Sequence, residues 1–128
     1  MRNNIFIGKS ETIEVDFSAN ANSVKFGNQD VLFQKRIKHV FLFHATQIGK
    51  TPLRNTVISS ADLAKAYVTF RINGSDEIKR IPATMLNLLA NPQNIVSFEG
   101  QVIDWNNSEI QFSDEVSASS ILAQVVYE

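Results

Sequence analysis

Residues 66–83 read AYVTFRINGSDEIKRIPA, and they constrain the fold more than any other stretch of the chain. Val68, Phe70 and Ile72 take alternate positions, with Thr69 and Arg71 between them. A period of two is the mark of a half-buried strand. Asn73-Gly74 follows, and both residues accept positive φ at little cost, which closes a tight hairpin. The chain returns as EIKRI, with Ile78 and Ile81 out of phase. That mismatch predicts a bulge or a strand ending near Arg80. Pro82, which lacks an N–H, ends the ladder. The hairpin therefore has an apolar face and a charged face. Arg71, Glu77, Lys79 and Arg80 mix both signs, so cross-strand pairs satisfy one another for about 0.2–1 kcal/mol each. The hairpin reads as scaffold, and Arg71, Lys79 and Arg80 form a candidate subunit-interface face.

The same period recurs along the chain. ETIEVDFSA places Ile13, Val15 and Phe17 on one side and Glu14 and Asp16 on the other. SVKFG holds Val24 and Phe26 in phase. VLFQKRIKHVFLFHAT is the longest apolar-aromatic stretch, and its alternation predicts a strand covered on both faces. SSADLAKAY predicts one helical turn with Ser60 as cap and Leu63 inward. ATMLNLLANP predicts a short helix capped by Thr84, with Met85, Leu86, Leu88 and Leu89 on its apolar side and Asn91-Pro92 as its stop. NIVSFEGQVIDW resumes as strand around Gly100. Residues 106–108 form a turn, EIQFS returns from it, and Trp105, Ile110 and Phe112 are expected to meet there. ILAQVVYE closes the chain as a strand. Seven or eight short strands with one or two helical turns predict an all-β fold: an antiparallel β-sandwich, as a single jelly roll.

The bulk numbers agree with one domain over residues 1–128, with 1–10 as a candidate N-terminal arm. The chain is 44% hydrophobic and 20% charged, an ordinary globular balance. Its net charge of −1 gives no global field towards nucleic acid or anionic lipid. It contains no cysteine, which removes disulfides, thiolate metal sites and cysteine nucleophiles. The N-terminal stretch lacks the apolar run of a signal peptide. No segment approaches the about 20 apolar residues of a membrane span. The expectation is a soluble protein made in a cytoplasm.

Motifs for chemistry are few. His39 and His44 are an odd number of residues apart on a predicted strand, so they face opposite ways and do not chelate one metal. Gly49-Lys50-Thr51 lacks the upstream glycine of a phosphate loop, and Pro52 stands where its helix would begin. Glu14 and Asp16 share a strand face but have no further site around them. Asp114 and Glu115 read as a charged loop. Lys35, Arg36 and Lys38 lie among Phe33, Phe41 and Phe43, a pattern suited to single-stranded nucleic acid or to a partner surface. The phenylalanines themselves read as core. Trp105, Tyr67 and Tyr127 are the aromatic candidates for a carbohydrate or small-ligand module. No catalytic constellation emerges, so the expectation is a non-enzymatic protein with no cofactor and no metal.

Four segments carry a resemblance: AYVTFRINGSDEIKRIPA, the Leu-rich TMLNLLANPQ, NIVSFEGQVIDW and the terminal ASSILAQVVYE. Their order of hairpin, apolar plug, strand, loop and final strand resembles the second half of the small vertex (penton) and minor capsid proteins of tailless icosahedral viruses and phages. The resemblance covers about half the chain and is one of topology. It implies a structural subunit that works by assembling with copies of itself and other coat proteins, and a place in the virion. The alternatives are a carbohydrate- or ligand-binding β-sandwich and a single-stranded nucleic-acid-binding β protein.

Overall fold

The structure is a computed structural model that describes residues 9–27, 29–45, 57–72, 78–87 and 95–128, exclusive of the side chains of residues 78 and 79. The described residues hold eight strands: β1 (Lys9–Phe17), β2 (Ser23–Lys25), β3 (Arg36–Phe43), β4 (Ala66–Arg71), β5 (Ile78–Pro82), β6 (Gln101–Val102), β7 (Glu109–Phe112) and β8 (Ser119–Tyr127). One short helix, α1 (Ser60–Leu63), precedes β4.

The pairing has a simple rule. β1 pairs with β8, β2 with β7, β3 with β6 and β4 with β5, all antiparallel. The chain is thus one long two-stranded ribbon with β4–β5 at its tip. Rolling that ribbon up brings β8 beside β3 and β7 beside β4. The result is two four-stranded sheets, β1-β8-β3-β6 and β2-β7-β4-β5. This is the strand order of a jelly roll, and the all-β sandwich expected from the sequence is what forms.

Register follows the apolar pattern. In the second sheet Val24, Ile110, Val68 and Ile81 form one inward row across all four strands. In the first sheet Ile13, Ala123 and Leu42 do the same. A slip of one residue would turn each row towards solvent, so the rows fix the pairing. Between the sheets Phe70 sits at the centre of an aromatic cluster. Its ring lies 4.9 Å from Phe98, 5.9 Å from Phe26 and 6.3 Å from Trp105.

Several local expectations change. β5 runs without a bulge, pairing Arg71 with Ile78 and Val68 with Ile81, and it continues to Pro82. Tertiary pairing with β4 overrides the phase mismatch. The irregularity falls instead in β3, between Ile37 and His39. Only the second half of VLFQKRIKHVFLFHAT is strand. Asp30–Leu32 forms a 3-10 turn, and Gln34 takes φ +57 before β3 begins. β3 is buried on both sides as expected, through Val40 and Leu42 inward and Phe41 outward. The predicted helix at residue 84 is a 3-10 turn over Ala83–Leu86 without a side-chain cap. Pro82 sets its entry, Leu86 is buried, and Met85 points out. Around Gly100 the strand is short, because Glu99 and Gly100 both take positive φ. Ser59 caps α1 where Ser60 was expected, its Oγ accepting from Asp62 N at 3.2 Å. The arm residues 1–8, Asn73-Gly74, Gly49-Lys50-Thr51, Leu88, Leu89 and Asn91-Pro92 lie outside the described residues, while Lys9 and Ser10 begin β1.

α1 is tied to the β7–β8 loop by one carboxylate. Asp62 accepts from Ser117 N at 3.1 Å and from Lys65 Nζ at 3.1 Å. Lys65 Nζ also donates to the Glu115 carbonyl at 2.8 Å. The Ser117 N–H holds the Asp62 carboxyl below its ordinary 3.8, with Lys65 adding to it against the opposing effect of burial. A depressed folded value means stability that is present above the unfolded pKa and is lost as pH falls through the folded one. Asp62→Asn is therefore expected to lower the melting temperature at neutral pH. It should also flatten the decline on acidification, as read by thermal melts across the carboxylate range.

Candidate functional site

The second sheet turns a wet face outward. Lys25, Glu109, Thr69 and Arg80 form one row across all four strands, and Ser23, Gln111, Tyr67 and Pro82 form the next. Thr69 Oγ1 donates to Gln111 Oε1 at 3.3 Å, and Gln111 Nε2 donates to Glu109 Oε1 at 3.1 Å. The Arg80 guanidinium lies 4.8 Å from the Tyr67 ring centroid. Of the expected interface residues, Arg71 and Arg80 occupy this outer side by register, whereas Lys79 pairs with Phe70. The outer side of the first sheet is different: Phe41, Ser120 and Val126 are buried there. His39 stacks on Phe41 at 5.6 Å and donates from Nδ1 to the Val96 carbonyl at 3.0 Å.

The basic cluster divides. Arg36 is exposed and lies 4.0 Å from Glu128, a solvent-screened pair worth little. Lys38 is half-buried at the β3 irregularity, and its carbonyl accepts from Phe98 N. Lys35 precedes the strand and donates its backbone N–H to the Leu32 carbonyl. Glu14 accepts from Ser120 Oγ at 3.3 Å on the β1 face. Among the described residues no group of three or more His, Asp and Glu side chains is placed to hold a metal ion. No helix among them is long and apolar enough to cross a membrane.

The three aromatic candidates are not open platforms. Trp105 is 4% exposed and Tyr127 is buried, while Tyr67 is half-buried under Arg80. Trp105 packs edge-on to Phe26 and Phe70, and Phe112 packs 4.7 Å from Phe17. Among the described residues the exposed aromatic is Phe33, at 66%, in a segment read as core from the sequence. The 3-10 turn Asp30–Leu32 explains it. Leu32 goes inward, and its neighbours Val31 and Phe33 are left outside. An Asp beside a Gln-Lys-Arg run was the available signal that the strand had not yet started.

Phe33 stands at a recess of about 150 Å³ lined also by Gln29, Ile103, Asp104, Trp105 and Asn106. The lining is well anchored. Gln29 Nε2 donates to the Phe26 carbonyl at 2.8 Å. Asp104 N donates to the Arg71 carbonyl at 2.9 Å, and Asn107 Nδ2 donates to Asp104 Oδ2 at 2.7 Å. Ser108 is fully buried. Its Oγ accepts from Arg71 N at 3.0 Å and donates to the Asp104 carbonyl at 2.8 Å. These bonds clamp the 3-10 turn Trp105–Asn107 against β4. The Trp105 Nε1–H is buried without a hydrogen-bond partner among the described residues, a state that costs about 1–3 kcal/mol. A second recess of about 250 Å³ lies over Asn20, Asn22, Phe112 and Asp114, and no orphaned buried group lines it.

Comparison of this chain with protein-family models, with curated proteins and with solved structures gave no match.

Proposed function

We propose that this chain is a non-enzymatic structural subunit of a virion coat, of the vertex or minor-coat kind, that works by assembly. The observation carrying this reading is the rolled-ribbon strand order β1-β8-β3-β6 and β2-β7-β4-β5. Jelly rolls build viral coats, lectins and cupins, so the step from fold to coat is one of analogy. The outer face of the second sheet supports it. Lys25, Glu109 and Arg80 lie in one row, so both signs are present on one sheet face. A patch carrying both signs is able to meet its own copy about a two-fold axis. In this reading Arg71 and Arg80 contact a neighbouring subunit, and Lys35 and Arg36 face solvent or a further coat component.

Sedimentation velocity tests the reading. The double variant Arg71→Ala/Arg80→Ala is expected to sediment as a smaller species than the unaltered protein, with the same circular dichroism. Loss of Arg80 removes one exposed cation–π contact, worth about 0.5–1 kcal/mol, so the subunit fold should survive. Identical sedimentation of the two proteins would remove this face from the assembly.

A further inference from the structure

We infer that the recess beside Phe33 is a binding site for a neutral polyhydroxylated ring, a single pyranose unit of a saccharide. An apolar cavity of about 150 Å³ takes up benzene, so a recess of this volume suits one six-membered ring. The volume here is about 150 Å³.

The lining chooses the kind of ring. Phe33 offers an exposed aromatic face, against which the C–H side of a sugar packs well. Gln29 and Asn106 bring amides, and Asp104 brings a carboxylate with acceptor capacity beyond its bond to Asn107. Trp105 adds wall, while its indole N–H is buried and out of a ligand's reach. A few convergent polar groups around an apolar wall is the usual composition of a small-ligand site. A purely apolar ring would take water from the Asp104 carboxylate and the amides and replace none of those bonds.

Charge separates a sugar from a nucleotide. Among the described residues no lysine or arginine lines the recess, and the one charged group there is Asp104. A phosphate-bearing ligand would meet a negative charge with nothing to offset it. Lys35 and Arg36 are close in sequence but are not part of the lining.

The walls are preformed. Asp104 and Trp105 are held by the Ser108 clamp, and Gln29 is held by the Phe26 carbonyl. A site built from fixed groups loses little entropy on binding. The inference stands apart from assembly, since the recess lies within one chain.

Trp105 is the chain's single tryptophan, so intrinsic fluorescence reports on this site directly. The test titrates the full chain with glucose, galactose, mannose and N-acetylglucosamine, and in parallel with adenosine monophosphate. A saturable change in Trp105 fluorescence is expected with at least one sugar and none with the nucleotide. Phe33→Ala should weaken that binding about tenfold or more, and Phe33→Tyr should retain it. Phe33 is exposed, so neither variant should perturb the melt. Asn106→Ala should weaken binding by a smaller factor. No saturable change with any of the four sugars would overturn the proposal, as would sugar binding unaffected by Phe33→Ala or a preference for the nucleotide.

Discussion

Phe70→Ala is expected to remove about 3–5 kcal/mol of stability, the usual loss for a large aromatic cut from a packed core. Phe70 has no solvent exposure, and its ring meets Phe26, Phe98 and Trp105. Those partners come from the β2 end, from the segment before β6 and from the turn before β7. One ring thus ties together chain segments that meet only because the ribbon is rolled. Domains of this size are stable by about 5–15 kcal/mol, so the loss is a large share of the whole. Urea unfolding would show the midpoint fall, and Trp105 fluorescence would shift red in the folded baseline. Arg71→Ala, one position along β4, should stay within about 0.5 kcal/mol because its side chain lies on the outer side. Comparable losses in the two variants would mean that the inward row of β4 is misassigned.

Ser108→Ala is expected to cost about 2–3 kcal/mol, far more than a small side chain usually commands. The hydroxyl accepts from Arg71 N and donates to the Asp104 carbonyl, and it is buried. Alanine fits the space but leaves the Arg71 N–H without that partner, at about 1–3 kcal/mol, and leaves the Asp104 carbonyl with its bond from Asn107 N, a lost second bond of about 0.5–1.5 kcal/mol. The expected midpoint shift should come with faster amide exchange at Arg71 and Ser108, since the clamp between β4 and the Trp105–Asn107 turn is lost. Asn106→Ala, exposed on the same turn, should leave the melt unchanged within about 0.5 kcal/mol. Equal small effects from both substitutions would contradict the clamp.

Strand identity was legible wherever apolar alternation was clean. Ile13, Val15 and Phe17 face inward as their spacing requires, and so do Val68, Phe70 and Ile72. The period of two is local physics, and it survives folding. Partnership is not local. Nothing in ETIEVDFSA says that it pairs with the far end of the chain, yet Lys9 lies opposite Tyr127. Only the β4–β5 hairpin could be paired by reading along the sequence. Phase was misleading once, at Ile78 and Ile81, because a ladder to β4 imposed its own register. The candidate site was less legible than the fold. Trp105 looked available because it stands beside a turn, but the Ser108 clamp turns it inward. Phe33 looked like core because it follows two apolar residues, but a 3-10 turn rotates it out. The Trp105 outcome depends on bonds from Ser108 and Asp104 to Arg71, distant in sequence. The Phe33 outcome depends on a local turn closed by Leu32 N to Gln29 and Phe33 N to Asp30, which apolar alternation does not reveal.

The proposed coat role stands or falls on self-assembly. Light scattering coupled to size exclusion, run on the unaltered protein over a wide concentration series, tests it most directly. A discrete species is expected at an integer multiple of 14.3 kDa that persists on dilution or returns on concentration. A mass of 14.3 kDa at every concentration would contradict it.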